Sequence, residues 1–378
     1  MKKLMIVAGE VSGDQHAARL VRDLRAARGD VEVFGIGGEA LRREGVRTIV
    51  DVRDMAVLGF FEVISRLLFF RRVFKQMIAL FAREKPDALL LVDYPGFNLR
   101  LAAQARARGI PVLYYVSPQV WAWHISRIPK MAKIIDLLMV IFPFEVDVFK
   151  DTGLKTVFVG HPLVESVRRT LARPSPELPW PPGARRIGLL PGSRRQEIER
   201  ILPAMLAAAQ ELRRRDSSTT FLVPAASSEI HDLIVRQLAI LEPEERAAVA
   251  VVDGQMREVA RQSRAAMVCS GTATVETALM KCPMIVVYRT TAPTYWFGRQ
   301  IIRVPWLGMV NLIAKRELCP EFIQDAAQPA AMATAIEALV TDSPERQAQL
   351  AGLDDVARAL EGGDNIPTAG QLVAQALG

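Results

Sequence analysis

Residues 3–14 read KLMIVAGEVSGD, and the order of chemical character along them decides the fold. The apolar run 4–8 has the length of one strand, and a strand apolar throughout is one covered on both faces. Gly9 ends the run, a glycine-rich loop follows, and a 3.6-residue pattern then occupies 15–26. Strand, loop and helix make one βα unit, and repetition of that unit builds a parallel sheet.

Moving outward, apolar runs at 31–35, 88–92, 112–116 and 137–141 repeat the unit. Six prolines (Pro162, Pro174, Pro176, Pro179, Pro181, Pro182) then mark a semi-rigid connector. Beyond it the pattern restarts at 186–190, 221–224, 249–253, 265–270 and 284–288. The expected architecture is α/β: two Rossmann-like doubly wound domains, residues 1–175 and 176–345. A helical segment, 346–378, interrupted at Gly362-Gly363, is expected to pack on or cross back over a domain.

Length supports this, since 378 residues exceed the usual size of one domain. A net charge of +7 favours anionic partners without choosing among them. Cys269, Cys282 and Cys319 show no C-x-x-C spacing, which argues against a disulfide framework or zinc site and for a reducing, cytoplasmic setting. The N-terminal apolar run is too short for a signal-peptide core, and no uncharged run reaches the ~20 residues that cross a bilayer.

Ligands of open α/β sheets bind at the carboxyl ends of strands, so the loops after each run are the candidate sites. The loop Gly9, Glu10, Val11, Ser12, Gly13, Asp14 presents a helix start to a substrate hydroxyl or phosphate, or is a capped turn. After 88–92 comes Asp93-Tyr94-Pro95-Gly96, where a carboxylate fixed by a sheet can act as a general base or merely start a turn. Ser117, Trp121 and Trp123 follow 112–116; aromatic rings there can stack on a sugar or fill a core. In the second half, Gly192, Ser193 and Arg194 join a helix start to an arginine, as a diphosphate requires. Ser270, Gly271 and Thr272 repeat that geometry, with Glu276 suited to the two hydroxyls of a ribose. No D-x-D or H-x-x-x-H spacing occurs, so a metal-independent site is expected, with Arg194 and helix N-termini neutralising the departing diphosphate.

Residues 55–81, MAVLGFFEVISRLLFFRRVFKQMIALF, carry more apolar surface than one sheet contact needs. Phe60, Val63, Leu67, Phe70, Phe74, Met77, Ile78 and Phe81 form one stripe for a core. Phe61, Ile64, Leu68 and Phe69 lie beside Arg71, Arg72 and Lys75, the pairing that an interfacial membrane segment wants; a helix buried on two sides is the alternative.

Taken in order, these motifs resemble those of the lipid-A-disaccharide synthases. The resemblance rests on residues 8–14, 93–98, 115–118 with Trp121-Ala122-Trp123, Phe142-Pro143-Phe144-Glu145, Gly160-His161-Pro162, 190–194, 270–276, Lys281-Cys282-Pro283-Met284, Asn311-Leu312 and Glu317-Leu318. It implies a GT-B fold with an interdomain cleft and an inverting, cofactor-free and metal-independent transfer. A 2,3-diacylglucosamine would pass from UDP to 2,3-diacylglucosamine 1-phosphate through a β-1,6 bond. By position, Asp93 would be the base, Gly192 to Arg194 would hold the phosphates, Glu276 the ribose, and Asn311 and Glu317 would lie near the UDP. The implied partners are those two lipids and an anionic inner-membrane surface on the cytoplasmic side, not nucleic acid, with a homodimer formed by C-terminal exchange in the family. Relatives often carry an acid where this chain has Gly96, which leaves Asp93 as the only carboxylate of its loop. A UDP-N-acetylglucosamine epimerase, a soluble glycosyltransferase and a non-catalytic nucleotide-sugar-binding membrane module are the rival readings.

Overall fold

The computed structural model describes residues 1–55, 67–363 and 365–378. It divides into two compact units, Met1–Pro162 with Gly362–Gly378, and Leu163–Glu361.

The first unit holds a parallel sheet of β1 (Lys2–Ala8), β2 (Val31–Gly37), β3 (Arg47–Asp51), β4 (Ala88–Val92), β5 (Val112–Tyr115), β6 (Leu137–Val140) and β7 (Lys155–Phe158). Their order is β3-β2-β1-β4-β5-β6-β7. Every residue of β4 is fully buried, as are Leu4 to Ala8 of β1, so the central strands are dry on both faces. In the second unit β8 (Arg185–Leu190), β9 (Thr219–Ala225), β10 (Val249–Asp253), β11 (Ala265–Cys269), β12 (Met284–Tyr288) and β13 (Glu321–Ile323) take the order β10-β9-β8-β11-β12-β13. Both sheets thus run outward from a central pair, β1 beside β4 and β8 beside β11, and reverse direction there. This is the doubly wound arrangement expected from the apolar runs.

Three strands escaped the apolar-run reading: β3, β7 and β13. All three lie at sheet edges, and every described residue of them is partly or fully exposed. An edge strand covers less of itself and needs no continuous apolar run. The change of unit at Pro162 falls ahead of most of the proline-rich segment. Pro162–Leu171 is a helix, and the stretch after it is bonded down. Gln262 Nε2 donates to the Pro176 carbonyl at 2.7 Å, and Trp180 Nε1 donates to Gln262 Oε1 at 3.0 Å.

The C-terminal segment splits between the units. Helix Pro344–Glu361 belongs to the second, where the Gln349 amide bridges the backbone of Met284 and Leu318. Helix Ala369–Ala376 packs on helix Val11–Arg28 of the first. A side chain at Gly370 would place its Cβ 2.5 Å from the backbone of Leu24, so only glycine permits that approach.

Helix Leu67–Glu84 buries Val73, Met77, Leu80 and Phe81, spaced at i, i+4, i+7 and i+8. At about 1.5–3 kcal/mol each, these four side chains hold it to the sheet. Among the described residues, no helix is long and apolar enough to cross a membrane.

Candidate active-site loops

In a doubly wound sheet the strand ends part where the order reverses, and ligands settle in that opening. In the first unit, β1 pairs with β4 through Ala8 opposite Val92, so the loop from Gly9 meets the loop from Asp93. Gly9 is required here: a Cβ on it would lie 2.2 Å from Cγ of Tyr94.

Asp93 and Tyr94 both stand at φ 49°, the left-handed region that costs side-chain-bearing residues about 1–2 kcal/mol apiece. Hydrogen bonds hold the strain. The Asp93 N–H donates to the Tyr115 carbonyl at 3.0 Å. Its carbonyl accepts from Tyr114 Oη at 2.6 Å and Asn98 Nδ2 at 2.7 Å. Tyr94 Oη reaches the Met55 carbonyl at 3.2 Å. With its backbone fixed in this way, the half-buried Asp93 carboxyl is pushed up to about 6. Burial is the main cause and the Glu10 carboxylate adds to it, against an opposing hydrogen bond from the Tyr94 N–H.

Glu10 is therefore a second carboxylate of this loop pair, one that the sequence reading did not assign. It comes from across the switch point and not from position 96, where a Cβ would meet open space. Only the pairing of β1 with β4 brings it there.

Helix Val11–Arg28 starts beside these groups without a side-chain cap, and Ser12 is exposed on its first turn. Gly13 is buried against Val92 and Ala8. Asp14 points elsewhere: its buried carboxylate accepts from the N–H groups of Gly38 at 2.6 Å, Ala40 at 2.9 Å and Leu41 at 3.3 Å. All of its visible bonding fixes the loop after β2.

The two tryptophans after β5 have different surroundings. Trp121 is buried, edge-on to Phe144 at 4.9 Å, and its Nε1 donates to Glu145 Oε1 at 3.0 Å. Trp123 is 54% exposed. Glu145 also accepts from the Phe142 N–H at 3.1 Å, and burial pushes its carboxyl up to about 7. Ser117 is buried and donates to the Pro118 carbonyl at 3.2 Å.

In the second unit, β8 ends at Leu190 and the turn leads to helix Arg195–Arg215. Two of its backbone donors are already engaged by a side chain of the same helix. Glu197 Oε2 accepts from the N–H groups of Ser193 at 2.8 Å and Arg194 at 3.0 Å, while Oε1 accepts from the Arg194 guanidinium at 3.0 Å. Gly192, at φ 113°, makes room, because a Cβ there would lie 2.3 Å from Glu197 Oε2. What this turn offers a ligand is the exposed Arg194 side chain and the Ser193 hydroxyl.

Across the switch, helix Thr272–Leu279 follows β11 and has no side-chain cap. Thr274 N and Oγ1 both turn back to the Gly271 carbonyl, at 3.1 and 2.8 Å. The first-turn N–H groups of Thr272 and Ala273 have no acceptor within the helix, which suits an anion. Glu276 pairs with Arg257, whose guanidinium also donates to Ser166 Oγ at 2.7 Å.

Asn311 is fully buried and fully bonded. Its Nδ2 donates to the Cys319 carbonyl at 2.8 Å and Glu321 Oε1 at 2.9 Å, and its Oδ1 accepts from the N–H groups of Leu318 at 2.9 Å and Cys319 at 2.8 Å. Glu321 in turn takes the N–H groups of Leu307 at 2.9 Å and Gly308 at 2.8 Å, and Ser270 Oγ donates to the Leu307 carbonyl at 2.8 Å. The asparagine thus braces the loop that contacts Ser270. Glu317 is exposed nearby.

Of the expected membrane face, Leu68 is 75% exposed, and Arg71, Arg72 and Lys75 are exposed on the same helix. Phe69 is half-buried, edge-on to Phe70 at 5.6 Å. Phe60, Phe61 and Ile64 lie outside the described residues.

The family model described as lipid-A-disaccharide synthetase matches residues 4–370. The lipid-A-disaccharide synthase of Geobacter sulfurreducens is 39% identical over 378 residues, covering 100% of this chain and 97% of the relative. That of Anaeromyxobacter dehalogenans strain 2CP-1 is 38% identical over 366 residues, 95% of this chain and 93% of the relative. Among solved structures, a UDP-GlcNAc 2-epimerase from Neisseria meningitidis bound to UDP-GlcNAc aligns at TM-score 0.57 and 12% identity, covering 100% and 99% of the two chains. A UDP-forming trehalose-phosphate synthase from Burkholderia vietnamiensis aligns at 0.55, also at 12% identity and covering 100% and 99%. These structural likenesses establish the shared GT-B fold.

Proposed function

The chain belongs to the lipid-A-disaccharide synthetase family, and from that premise we propose an inverting transfer of 2,3-diacylglucosamine from UDP to 2,3-diacylglucosamine 1-phosphate. The observation that carries the chemistry is Asp93: a carboxylate with a fixed backbone at a switch point, its pKa raised to about 6. Such a group is ionised near neutrality, yet basic enough to share a proton in a transition state.

Asp93 accepts the proton of the acceptor 6-hydroxyl. That oxygen attacks the donor's anomeric carbon, a β-1,6 bond forms, and the bond to the UDP oxygen breaks with its electron pair leaving on the diphosphate. Arg194 and the Thr272 and Ala273 N–H groups neutralise that charge. Ser193 and Gly271 line the same turns, and Glu276, partly neutralised by Arg257, takes the ribose hydroxyls. Glu10 acts on Asp93 by raising its basicity. Gly9, Ser12, Gly13 and Ser117 shape the acceptor loop, and Trp123 offers it an exposed ring. Asp14, Trp121 and Asn311 hold loops in place, since their polar atoms are spent inside the fold. The enzyme works peripherally on the cytoplasmic face of the inner membrane, with Leu68, Arg71, Arg72 and Lys75 meeting its anionic surface.

The test is to supply purified protein with both lipids. Disaccharide 1-phosphate and UDP in equal amounts support the proposal. An epimerised nucleotide sugar, or binding without product, would each overturn it.

A further inference from the structure

Helix Ala292–Ile301, sequence APTYWFGRQI, buries none of its residues. Most short helices in proteins are held by an apolar face packed on the core. Here Trp296 is 68% exposed and Phe297 61%, with Ile302 exposed just beyond the helix end. Clusters of large exposed apolar groups mark contact surfaces.

Charge identifies the partner. From Arg289 to Arg316 the chain carries Arg289, Arg299, Arg303, Lys315 and Arg316, and no aspartate or glutamate at all. Arg299 lies one helical turn from Trp296, with its guanidinium 5.9 Å from the Tyr295 ring centre. Arg299 and Arg303 are exposed and pair with no carboxylate among the described residues. Exposed tryptophan and phenylalanine beside unpaired arginine suit the boundary of an anionic bilayer, where rings sit at headgroup depth and guanidinium groups meet lipid phosphates. A second copy of this chain is a poor match: in a two-fold contact the same patch meets itself, setting arginine against arginine without a countercharge.

We propose that helix Ala292–Ile301 is a second lipid-docking face, carried by the second unit and separate from helix Leu67–Glu84. This goes beyond the function above and does not rest on it.

The test is co-sedimentation of the full chain with phosphatidylcholine vesicles, with and without phosphatidylglycerol. Trp296→Ser combined with Phe297→Ser should weaken binding to the anionic vesicles by about tenfold or more. Arg299→Glu with Arg303→Glu should cost about fivefold or more per arginine and flatten the salt dependence. Because all four substituted side chains are exposed, both variants should keep the parent melting temperature and UDP affinity. A milder reporter needs no disruptive change: brominated acyl chains should quench tryptophan fluorescence in the parent, and measurably less in Trp296→Phe. Unchanged vesicle affinity in both double variants, or equal quenching with and without Trp296, overturns the proposal. Unchanged vesicle affinity with loss of a dimer in sedimentation velocity would overturn it too, assigning the face to a second copy.

Discussion

Replacing Asp93 by asparagine should stop turnover and make the protein more stable, and both effects have one cause. The Asp93 carboxyl rises from its ordinary 3.8 to about 6 in the fold. Above pH 6 both folded and unfolded chains carry the charge, and the folded state holds it in a poorer environment by about 3 kcal/mol. Asparagine removes that cost. It can still accept the Tyr94 N–H, and it tolerates φ 49° better than most residues. At pH 8 the variant should therefore melt higher, by up to about 5–10 °C for a unit of this size. The advantage disappears predictably with acid. As pH falls through 6 the folded wild type takes up its proton first and recovers the deficit, so the advantage fades between pH 6 and pH 4. The assay is a pair of melting curves across that range beside a turnover measurement at pH 8. Equal or lower melting of Asp93→Asn at pH 8, or retained turnover, refutes the picture of a destabilised base.

Four further outcomes are expected. Glu10→Gln should move the acid limb of the kcat/KM profile to lower pH, because it removes one cause of the Asp93 rise; an unmoved limb argues against the coupling. Arg194→Ala should weaken donor use by roughly ten- to a hundredfold while changing stability by less than about 1 kcal/mol, since its pairing with Glu197 is exposed. Unfolding titrations of Glu145→Leu should show a loss of about 2–4 kcal/mol, because the Trp121 indole and Phe142 amide would be left without an acceptor; a neutral result would mean the site repacks. Leu68→Ser with Arg71→Ser should reduce binding to anionic vesicles, and undiminished binding removes helix Leu67–Glu84 from the membrane-facing surface.

The sequence by itself determined the βα alternation, because burial on both faces leaves an apolar run that can be read locally. It failed at β3, β7 and β13, three of the four edge strands, because an edge strand is not covered and need not carry such a run, although the fourth edge, β10, does carry one. It also picked out the loops at both switch points, as loops that follow buried strands. Which loops face one another was decided by strand order alone: Glu10 joins Asp93 because β1 pairs with β4, although their positions are far apart in the chain. Tertiary structure also decided which polar groups remain available. Asp14, Asn311 and the Ser193 and Arg194 amides look ready for a ligand in sequence, yet the Gly38–Leu41 backbone, the Leu318–Cys319 backbone and Glu197 have already claimed them. Local periodicity is written in neighbouring residues, whereas the satisfaction of a buried donor or acceptor depends on whatever the fold brings beside it.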